Sequence, residues 1–488
     1  MATPRKTASK QGSNGILERL GLFGLGKIEP VILAALASEL PLLLIGPHGC
    51  AKSMLLERLA KALALEFRHY NASLLNYDDL VGYPLPDEHG SLRYVQTPAS
   101  IWPAEAVFLD ELSRCRPDMQ NRLFSIIHEK RVQGIALERL RYRWSAMNPP
   151  PCNSAENDAP ESADDSVGYA GSEPLDAALA DRFGFIVEMP SWKALSVTAR
   201  NAIISHSDCM VAPAMAQQLH VAINDARAVS AQLEKAFAKQ LTEYTRRVVD
   251  HSYTIGIELS ARRANLLMRV ICSVHAVRYT NDPLADLGES CWMALSHSLP
   301  QRAQGIRIPD GKLLAAHRDA WKIAQLSEVD PRRMLAAESD HVRRALLALL
   351  LTQSTDAEAS AHVADALAHC KSGAREAFAL HLIEHAAIGR VHVAVAEQIA
   401  ELTATTQREQ TFNTSIAAGS TRHAVGMHVE CFLASLVQSD EHGLLRNLVI
   451  SLYARDEKQT IKSIDRAIAS WVEMRARFRI EKETARAA

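Results

Sequence analysis

The segment GPHGCAKS (46–53) constrains this chain most strongly, because it stands between an apolar run, LLLI (42–45), and a helical sequence, MLLERLAKALALE (54–66). A strand, a glycine-rich turn and a helix in this order are typical of a P-loop. Its backbone N–H groups and helix N-terminus hold a pyrophosphate. Lys52 is placed to reach the β- and γ-phosphates, and the hydroxyl of Ser53 to bind Mg²⁺. The motif thus predicts ATP and Mg²⁺ as ligands, with nucleotide-binding residues Gly46, Pro47, His48, Gly49, Cys50, Ala51, Lys52 and Ser53.

One position departs from the P-loop pattern. Ala51 stands where the pattern has its second glycine. We expect this position to enter the helix, where alanine meets no steric problem. A chance glycine-rich turn is the alternative for the motif taken alone.

A second motif, AEAVFLDELSR (104–114), is an apolar run that ends in two acidic residues. Acidic residues that merely end a strand are common, but here they follow a P-loop in the required order. Asp110 is then predicted to hold Mg²⁺ through water, and Glu111 to polarise the attacking water.

Five short apolar, β-rich runs (42–46, 67–71, 106–110, 142–147 and 183–189) alternate with helical stretches. This alternation predicts the α/β class, with a parallel sheet wrapped by helices. After Trp192 almost every segment has helical periodicity. We therefore expect a disordered tail (1–15), an αβα nucleotide-binding core (16–190), a helical lid (191–303) and a helical C-terminal domain (304–488), with a long mobile loop at 153–171.

Composition narrows the class of protein. Across 488 residues the formal net charge is −2, so no global charge attracts the chain to nucleic acid or to acidic membranes. The eight cysteines include no CxxC pair, which argues against a disulfide framework or a zinc site. The N-terminus has no apolar signal region, and no apolar run approaches the ~18 residues of a membrane span. These features favour a cytoplasmic protein with reduced thiols.

Together with the first two motifs, several shorter segments make the chain resemble an AAA+ ATPase, and within that class the MoxR family of the helix-2-insert clade. The matching segments are DDLVGYP (78–84), EKRVQG (129–134), SAMNP (145–149), DRF (181–183) and ELSARRANLL (258–267). The resemblance covers about residues 20 to 300 and assigns no family to the remaining C-terminal part.

The resemblance implies roles for further residues. Asn148 would be sensor 1, and Arg182 the arginine finger that reaches a neighbouring subunit's γ-phosphate. Arg262 would be sensor 2, with Arg263 as the alternative, and Asn71 would be a polar residue that restrains the catalytic glutamate. The implied catalytic set is Glu111, Asn148, Arg182 and Arg262, and the implied Mg²⁺ ligands are Ser53 and Asp110.

MoxR-like proteins are chaperone-like remodelling machines. The resemblance therefore implies a homo-oligomer, as a hexameric ring, that acts on a protein client, for example one with a von Willebrand A domain. The C-terminal domain would be the adaptor for that partner. A nucleic-acid-stimulated motor of the restriction or translocase type is the main alternative, and an ATP-binding scaffold with little turnover is a third.

Two segments, 78–98 and 129–144, have the pattern of hairpins. In a ring the first would face the centre, with Tyr83, Tyr94 and Val95 as candidates for touching a substrate; packed surface tyrosines are the alternative. His381 and His385 are spaced like metal ligands on one helix, but packing is the favoured interpretation because no third ligand is evident.

Overall fold

A computed structural model describes residues 15–86, 88–90, 92–151, 171–205, 213–385, 387–406, 411–412, 420–436, 440–455 and 458–487. The chain divides into two compact units, Met1–Gln325 and Leu326–Ala488. The predicted tail (1–15) and mobile loop (153–171) fall outside the described residues, except for residues 15 and 171.

The first unit contains a five-stranded, wholly parallel sheet in the order β2-β5-β8-β1-β9. The strands are β1 (Leu42–Ile45), β2 (Phe67–Asn71), β3 (Tyr83–Pro86), β4 (Leu92–Val95), β5 (Ala106–Asp110), β6 (Arg131–Val132), β7 (Ile135–Ala136), β8 (Tyr142–Met147) and β9 (Phe185–Glu188). The α/β class and the five runs predicted as strands are confirmed.

Alternation of side chains along β1 explains why helices cover both faces of the sheet. All four residues of β1 are buried, yet Leu42 and Leu44 belong to one hydrophobic cluster while Leu43 and Ile45 belong to another. Successive side chains of a strand point to opposite faces, so an uninterrupted apolar run requires a layer on each side.

The first unit contains twelve helices among its described residues. They are α1 (Ile16–Arg19), α2 (Glu29–Ser38), α3 (Lys52–Ala62), α4 (Tyr77–Val81), α5 (Pro117–Phe124), α6 (Ala177–Ala180), α7 (Val197–Ser205), α8 (Pro213–Ala236), α9 (Ala238–Thr254), α10 (Ala261–Asn281), α11 (Leu287–Ser296) and α12 (Asp310–Ala324). Helix α10 packs against α2, α8 and α11, and α12 packs against α9.

The first unit extends beyond residue 303, where the sequence placed a domain boundary. Leu313, Ala320 and Ala324 of α12 lie in the same hydrophobic cluster as the core and lid helices. The segment rich in glycine and proline before α12 holds a short 3₁₀ helix, Pro300–Gln304, inside this unit. The finer division into core, lid and adaptor stays a prediction.

The second unit is helical throughout its described residues. Its helices are α13 (Arg332–Ala337), α14 (His341–Leu350), α15 (Asp356–His369), α16 (Ala374–Glu384), α17 (Val393–Thr403), α18 (Thr421–Ser435), α19 (Asp440–Arg455) and α20 (Ile461–Ala487). They surround a separate hydrophobic cluster that includes Phe378, Leu448 and Trp471.

Both predicted hairpins are confirmed. β3 pairs with β4, and β6 pairs with β7, each in antiparallel fashion. Gly82 precedes the first hairpin with a φ of 89°, and a Cβ there would lie 2.3 Å from the carbonyl oxygen of Val95. A larger residue at position 82 would therefore collide with the opposite strand.

Within the described residues, every helix is either too short or too polar to cross a membrane.

Candidate functional site

The P-loop connects the end of β1 to the start of α3 at the carboxyl edge of the sheet. Gly49 has a φ of 77°, in the left-handed region that glycine adopts without strain. A Cβ at Gly46 would lie 2.7 Å from the sulfur of Cys50 and 2.8 Å from Cβ of Met189. The loop is therefore folded tightly on itself, and Gly46 leaves no room for a side chain.

The expectation for Ala51 is wrong. This residue does not enter the helix but caps it, with a φ of 65° and a ψ of 25°. The left-handed conformation brings Cβ close to the following carbonyl oxygen, which costs about 1 kcal/mol or more for an L-residue. The backbone adopts this turn so that Lys52 becomes the first residue of α3. Glycine, the residue of the usual pattern, adopts the left-handed conformation without strain, whereas alanine adopts it only at a cost in energy.

Lys52 is buried, and its ammonium group lies inside the loop. Nζ donates to the carbonyl oxygens of Gly46 (2.6 Å) and Pro47 (3.0 Å) and to Oδ1 of Asn148 (3.2 Å). All three of these oxygen acceptors of the Lys52 ammonium group are neutral. A phosphate oxygen is a stronger acceptor for the same ammonium group.

Ser53 and Asp110 meet across the edge of the sheet. Oγ of Ser53 donates to Oδ2 of Asp110 at 3.0 Å, and the backbone N–H of Glu111 donates to the other oxygen at 2.9 Å. Burial alone would raise the pKa of Asp110, but hydrogen bonds from His69, Glu111 and Ser53 outweigh it and hold the pKa below its usual value. A hydroxyl and an ionised carboxylate this close are the hard oxygen donors that Mg²⁺ prefers, so the residues fit the ion.

Glu111 and Asn148 complete this group. Glu111 has a φ of 57°, and its Oε2 lies 3.3 Å from Nε of Arg114 and 3.5 Å from Nδ2 of Asn148. Asn148 follows the last residue of β8 and is only 1% exposed, so its side chain is held in place. It contacts both Lys52 and Glu111. The structure thus brings together five of the predicted site residues, contributed by α3, β5 and β8: Lys52, Ser53, Asp110, Glu111 and Asn148.

Asn71, which was expected to restrain the glutamate, ends β2 next to Asp110 in the register of the sheet. Its Oδ1 accepts hydrogen bonds from the backbone N–H (3.0 Å) and the hydroxyl (2.6 Å) of Ser73. These hydrogen bonds stabilise the turn after β2, and the role of Asn71 in restraining Glu111 stays a prediction.

The predicted arginines form a second group, around Asp181. Arg182 lies 4.4 Å above the ring of Phe124 and donates to the carbonyl of Ala178 at 2.5 Å. Partial burial, and then the positive charge of Arg262, lower the pKa of Arg182, so the two arginines are neighbours. Nη1 of Arg262 lies 3.5 Å from Oδ2 of Asp181, and its side chain is 42% exposed.

Arg263 behaves differently from Arg262. It is 1% exposed and donates to the carbonyl oxygens of Phe183 (2.7 Å), Asp181 (2.9 Å) and Ala180 (3.3 Å). Burial lowers its pKa to about 10. Its guanidinium joins the start of α10 to the segment between α6 and β9, which is a structural task.

A pocket of about 240 Å³ opens beside the P-loop, and sequence reasoning missed most of its lining. It is lined by Gly21, Leu22, Phe23, Leu25, Pro47, His48, Gly49, Cys50, Ala51, Met54, Arg58, Pro190, Trp192, Leu195 and Ile203. Arg58 donates to the carbonyls of Leu20 and Gly21, both at 2.9 Å, and so fixes the N-terminal segment against α3. An apolar pocket next to a phosphate loop suits a flat base.

Comparison with known proteins agrees with this geometry. Residues 41–149 match the family model described as an AAA domain of the dynein-related subfamily. This segment is therefore similar to an AAA domain, and the match spans Lys52, Asp110 and Asn148. A solved structure from Cytophaga hutchinsonii, named as a "putative ATPase", is 18% identical, covers 62% of this chain and 83% of its own, and has a TM-score of 0.37. No curated protein matches the chain significantly.

Proposed function

We propose that this protein hydrolyses ATP in an Mg²⁺-dependent reaction and uses the energy to remodel or activate a partner protein, in the manner of MoxR proteins. The observation that carries the proposal is the convergence of Lys52, Ser53, Asp110, Glu111 and Asn148 beside an apolar pocket. An ammonium group, hard oxygen ligands, a carboxylate and an amide are the groups that phosphoryl transfer to water requires.

Each residue has a separate task in this proposal. Lys52 exchanges its carbonyl partners for β- and γ-phosphate oxygens, and Ser53 and Asp110 hold Mg²⁺. When bound, the ion neutralises charge on the phosphates. Glu111 orients and polarises the attacking water, and Asn148 fixes the distance between that water and the γ-phosphate. Phe23, Trp192 and the other apolar lining residues receive the adenine.

We further propose that the site is completed by a neighbouring copy of the chain, in a hexameric ring. Arg182 and Arg262 lie side by side, and Arg262 is substantially exposed. The Nε of Arg182 is buried without a hydrogen-bond partner among the described residues. Two adjacent arginines, one of them exposed, are suited to the charge that develops on a γ-phosphate.

The hairpins supply the surface proposed to touch the client. The hydroxyl of Tyr94 donates to Oε1 of Gln133, which ties the first hairpin to the second. Tyr83 and Val95 are paired across the first hairpin and both are exposed, as is Ile135 on the second. Exposed apolar side chains on two connected hairpins favour a polypeptide client over a nucleic acid. A von Willebrand A domain protein as partner, and a cytoplasmic location, remain predictions.

The primary test uses Glu111→Gln, with Glu401→Gln as the control. Glu401 is an exposed glutamate on α17. Glu111→Gln is expected to bind ATP with Mg²⁺ at wild-type affinity and to lose steady-state turnover, whereas Glu401→Gln keeps both. A wild-type rate for Glu111→Gln would remove Glu111 from the chemistry, and a wild-type protein without affinity for ATP would refute the proposal.

A mixing experiment tests the completion of the site by a neighbour. Lys52→Ala and Arg182→Ala should each be inactive, since an arginine finger contributes about 10³–10⁵ in rate in related enzymes. Mixed rings should regain activity, because an Arg182→Ala subunit keeps an intact P-loop that a Lys52→Ala neighbour can serve. Mixing Lys52→Ala with Glu111→Gln is the matched control and should give no recovery, because both changes disable the subunit's own site. Failure of the first mixture at every ratio would contradict the role of Arg182 in a neighbouring site.

A further inference from the structure

Three side chains with metal-ligating atoms meet in the second unit, on two helices of the C-terminal region. His341 is the first residue of α14, and Asp365 and His369 lie one turn apart on α15. Nδ1 of His341 is 2.6 Å from Oδ2 of Asp365, and Nδ1 of His369 is 3.2 Å from Oδ1 of the same carboxylate. One ligand atom from each residue lies within 4.8 Å of the others.

The two imidazoles are stacked. Their ring centroids are 4.0 Å apart and their planes differ by 5°. The stack holds both rings against the single carboxylate of Asp365.

We propose that His341, Asp365 and His369 form a binding site for a divalent transition-metal ion of the Zn²⁺ class. Two imidazole nitrogens and one carboxylate oxygen are ligands that Zn²⁺, Co²⁺ and Ni²⁺ share, whereas Mg²⁺ prefers oxygen alone. Three protein ligands leave a coordination position for water or for a side chain of a partner. Because the ligands come from α14 and α15, the ion joins two helices of the second unit.

Binding requires only a local adjustment. A metal lies in the plane of each imidazole that holds it, so the parallel rings must turn away from each other. His369 is 56% exposed and His341 39%, and the second side-chain torsion of histidine is soft. Metal–ligand distances of about 2.0–2.2 Å place tetrahedral ligand atoms roughly 3.3–3.5 Å apart. Nδ1 of His341 must therefore move away from Oδ2 of Asp365, which now lies at 2.6 Å, and Nδ1 of His369 must give up its contact with the carbonyl oxygen of Asp365, at 2.9 Å.

A second cluster of side chains with metal-ligating atoms, His381, Glu384 and His385, lies in the same unit and has a packing role. His381 is fully buried, with Nδ1 3.0 Å from Oε2 of Glu384 and Nε2 3.3 Å from the carbonyl oxygen of Trp471. The ring of His381 also packs 4.2 Å from that of Trp471. Both nitrogens of this histidine are already occupied and closed to solvent, so the exposed cluster on α14 and α15 is the better metal site.

The test is a Co²⁺ titration of the full chain after removal of metals, followed by the visible absorption of bound Co²⁺ and by competition with Zn²⁺. Millimolar Mg²⁺ is present throughout to occupy the proposed nucleotide site. The variants are His341→Ala, His369→Ala, their double variant and the isosteric Asp365→Asn. His428→Ala is the matched control, because His428 also contacts a single aspartate, Asp465, at 2.7 Å.

The wild type and the His428→Ala control should bind one more equivalent of Co²⁺ than the double variant, and Zn²⁺ should displace it. Each single variant should weaken this binding by at least about 10- to 100-fold, as loss of even an outer-shell partner does in metal sites. Circular dichroism of the metal-free variants checks that they are folded. The proposal is overturned when, in the presence of millimolar Mg²⁺, the wild type and the folded double variant bind equal amounts of Co²⁺ with equal affinity. None of these readouts depends on ATP hydrolysis.

Discussion

The sharpest prediction concerns Arg262 and Arg263, which are adjacent at the start of α10. Replacing each by alanine should affect a different property of the protein. Arg263→Ala removes a guanidinium that is 1% exposed and leaves three main-chain oxygens without their donors. Arg262→Ala removes an exposed side chain that forms an ion pair with Asp181 at 3.5 Å. We expect the first change to act on stability and the second on catalysis.

The magnitudes follow from burial. Breaking a buried, hydrogen-bonded charge pair costs about 3–5 kcal/mol, because the remaining carboxylate and carbonyl groups stay desolvated. An exposed ion pair contributes about 0–1 kcal/mol. If Arg262 contacts a γ-phosphate in the transition state, as proposed, its loss should reduce kcat by about 10-fold or more, since 1.4 kcal/mol is a factor of ten in rate.

Urea denaturation and steady-state ATP hydrolysis measure the two effects on the same preparations. Arg262→Ala should unfold like the wild type and turn over slowly. Arg263→Ala should lose several kcal/mol of unfolding free energy. Arg263→Lys should recover only part of it, because the three carbonyls are held by two different guanidinium nitrogens, whose separate positions a single ammonium nitrogen does not reproduce. The reasoning is refuted if Arg263→Ala unfolds at the wild-type midpoint, or if Arg262→Ala hydrolyses ATP at the wild-type rate.

Two further predictions concern single residues of the first unit. Ala51→Gly should relieve the left-handed strain, although the greater freedom of glycine in the unfolded chain offsets part of this gain. The free energy of unfolding, measured by urea denaturation, should therefore rise by at most about 1 kcal/mol. A fall of more than about 1 kcal/mol would show that residue 51 is not strained. His317 is buried against the hydroxyl of Tyr244, at 2.8 Å, and burial lowers its pKa to about 4. Because the unfolded chain takes up this proton near pH 6.5 and the folded chain does not, stability should fall as the pH drops below about 6.5, by about 2 kcal/mol at pH 5. The same urea measurement on His317→Gln should show a smaller loss; an equal loss would assign the effect to other groups.

Strands β1, β5 and β9 were predictable because each is a short, largely apolar and buried run in the sequence, whereas β2 and β8 also contain polar residues. β2, β5 and β8 begin and end where the pattern places them, since polar residues such as Asn71 and Asp110 follow the last buried position. The site residues on these strands converge for the same reason, because parallel strands present their carboxyl ends at one edge.

Other features depend on contacts that a linear sequence does not contain. The apolar pocket combines residues 21–25, the P-loop and residues 190–203, which only the tertiary structure brings together. The difference in burial between Arg262 and Arg263 depends on the carbonyl oxygens of residues 180–183, which are far away in the chain and bind Arg263. Ala51 has an ordinary helix-forming side chain, and its strain arises from the path of the backbone around it.

Asp181 and Arg182 are consecutive residues, and this adjacency has a mechanical consequence for a ring. Asp181 accepts a hydrogen bond from Ser260, the N-cap of α10, at 2.8 Å, and also contacts Arg262 and Arg263. Any tilt of α10 therefore pulls on the peptide that carries Arg182. In an assembly where Arg182 serves the adjoining copy, a movement of α10 in one copy would shift the arginine in its neighbour's site. ATP hydrolysis in successive copies would then be coupled, and would proceed in order around the ring instead of at random.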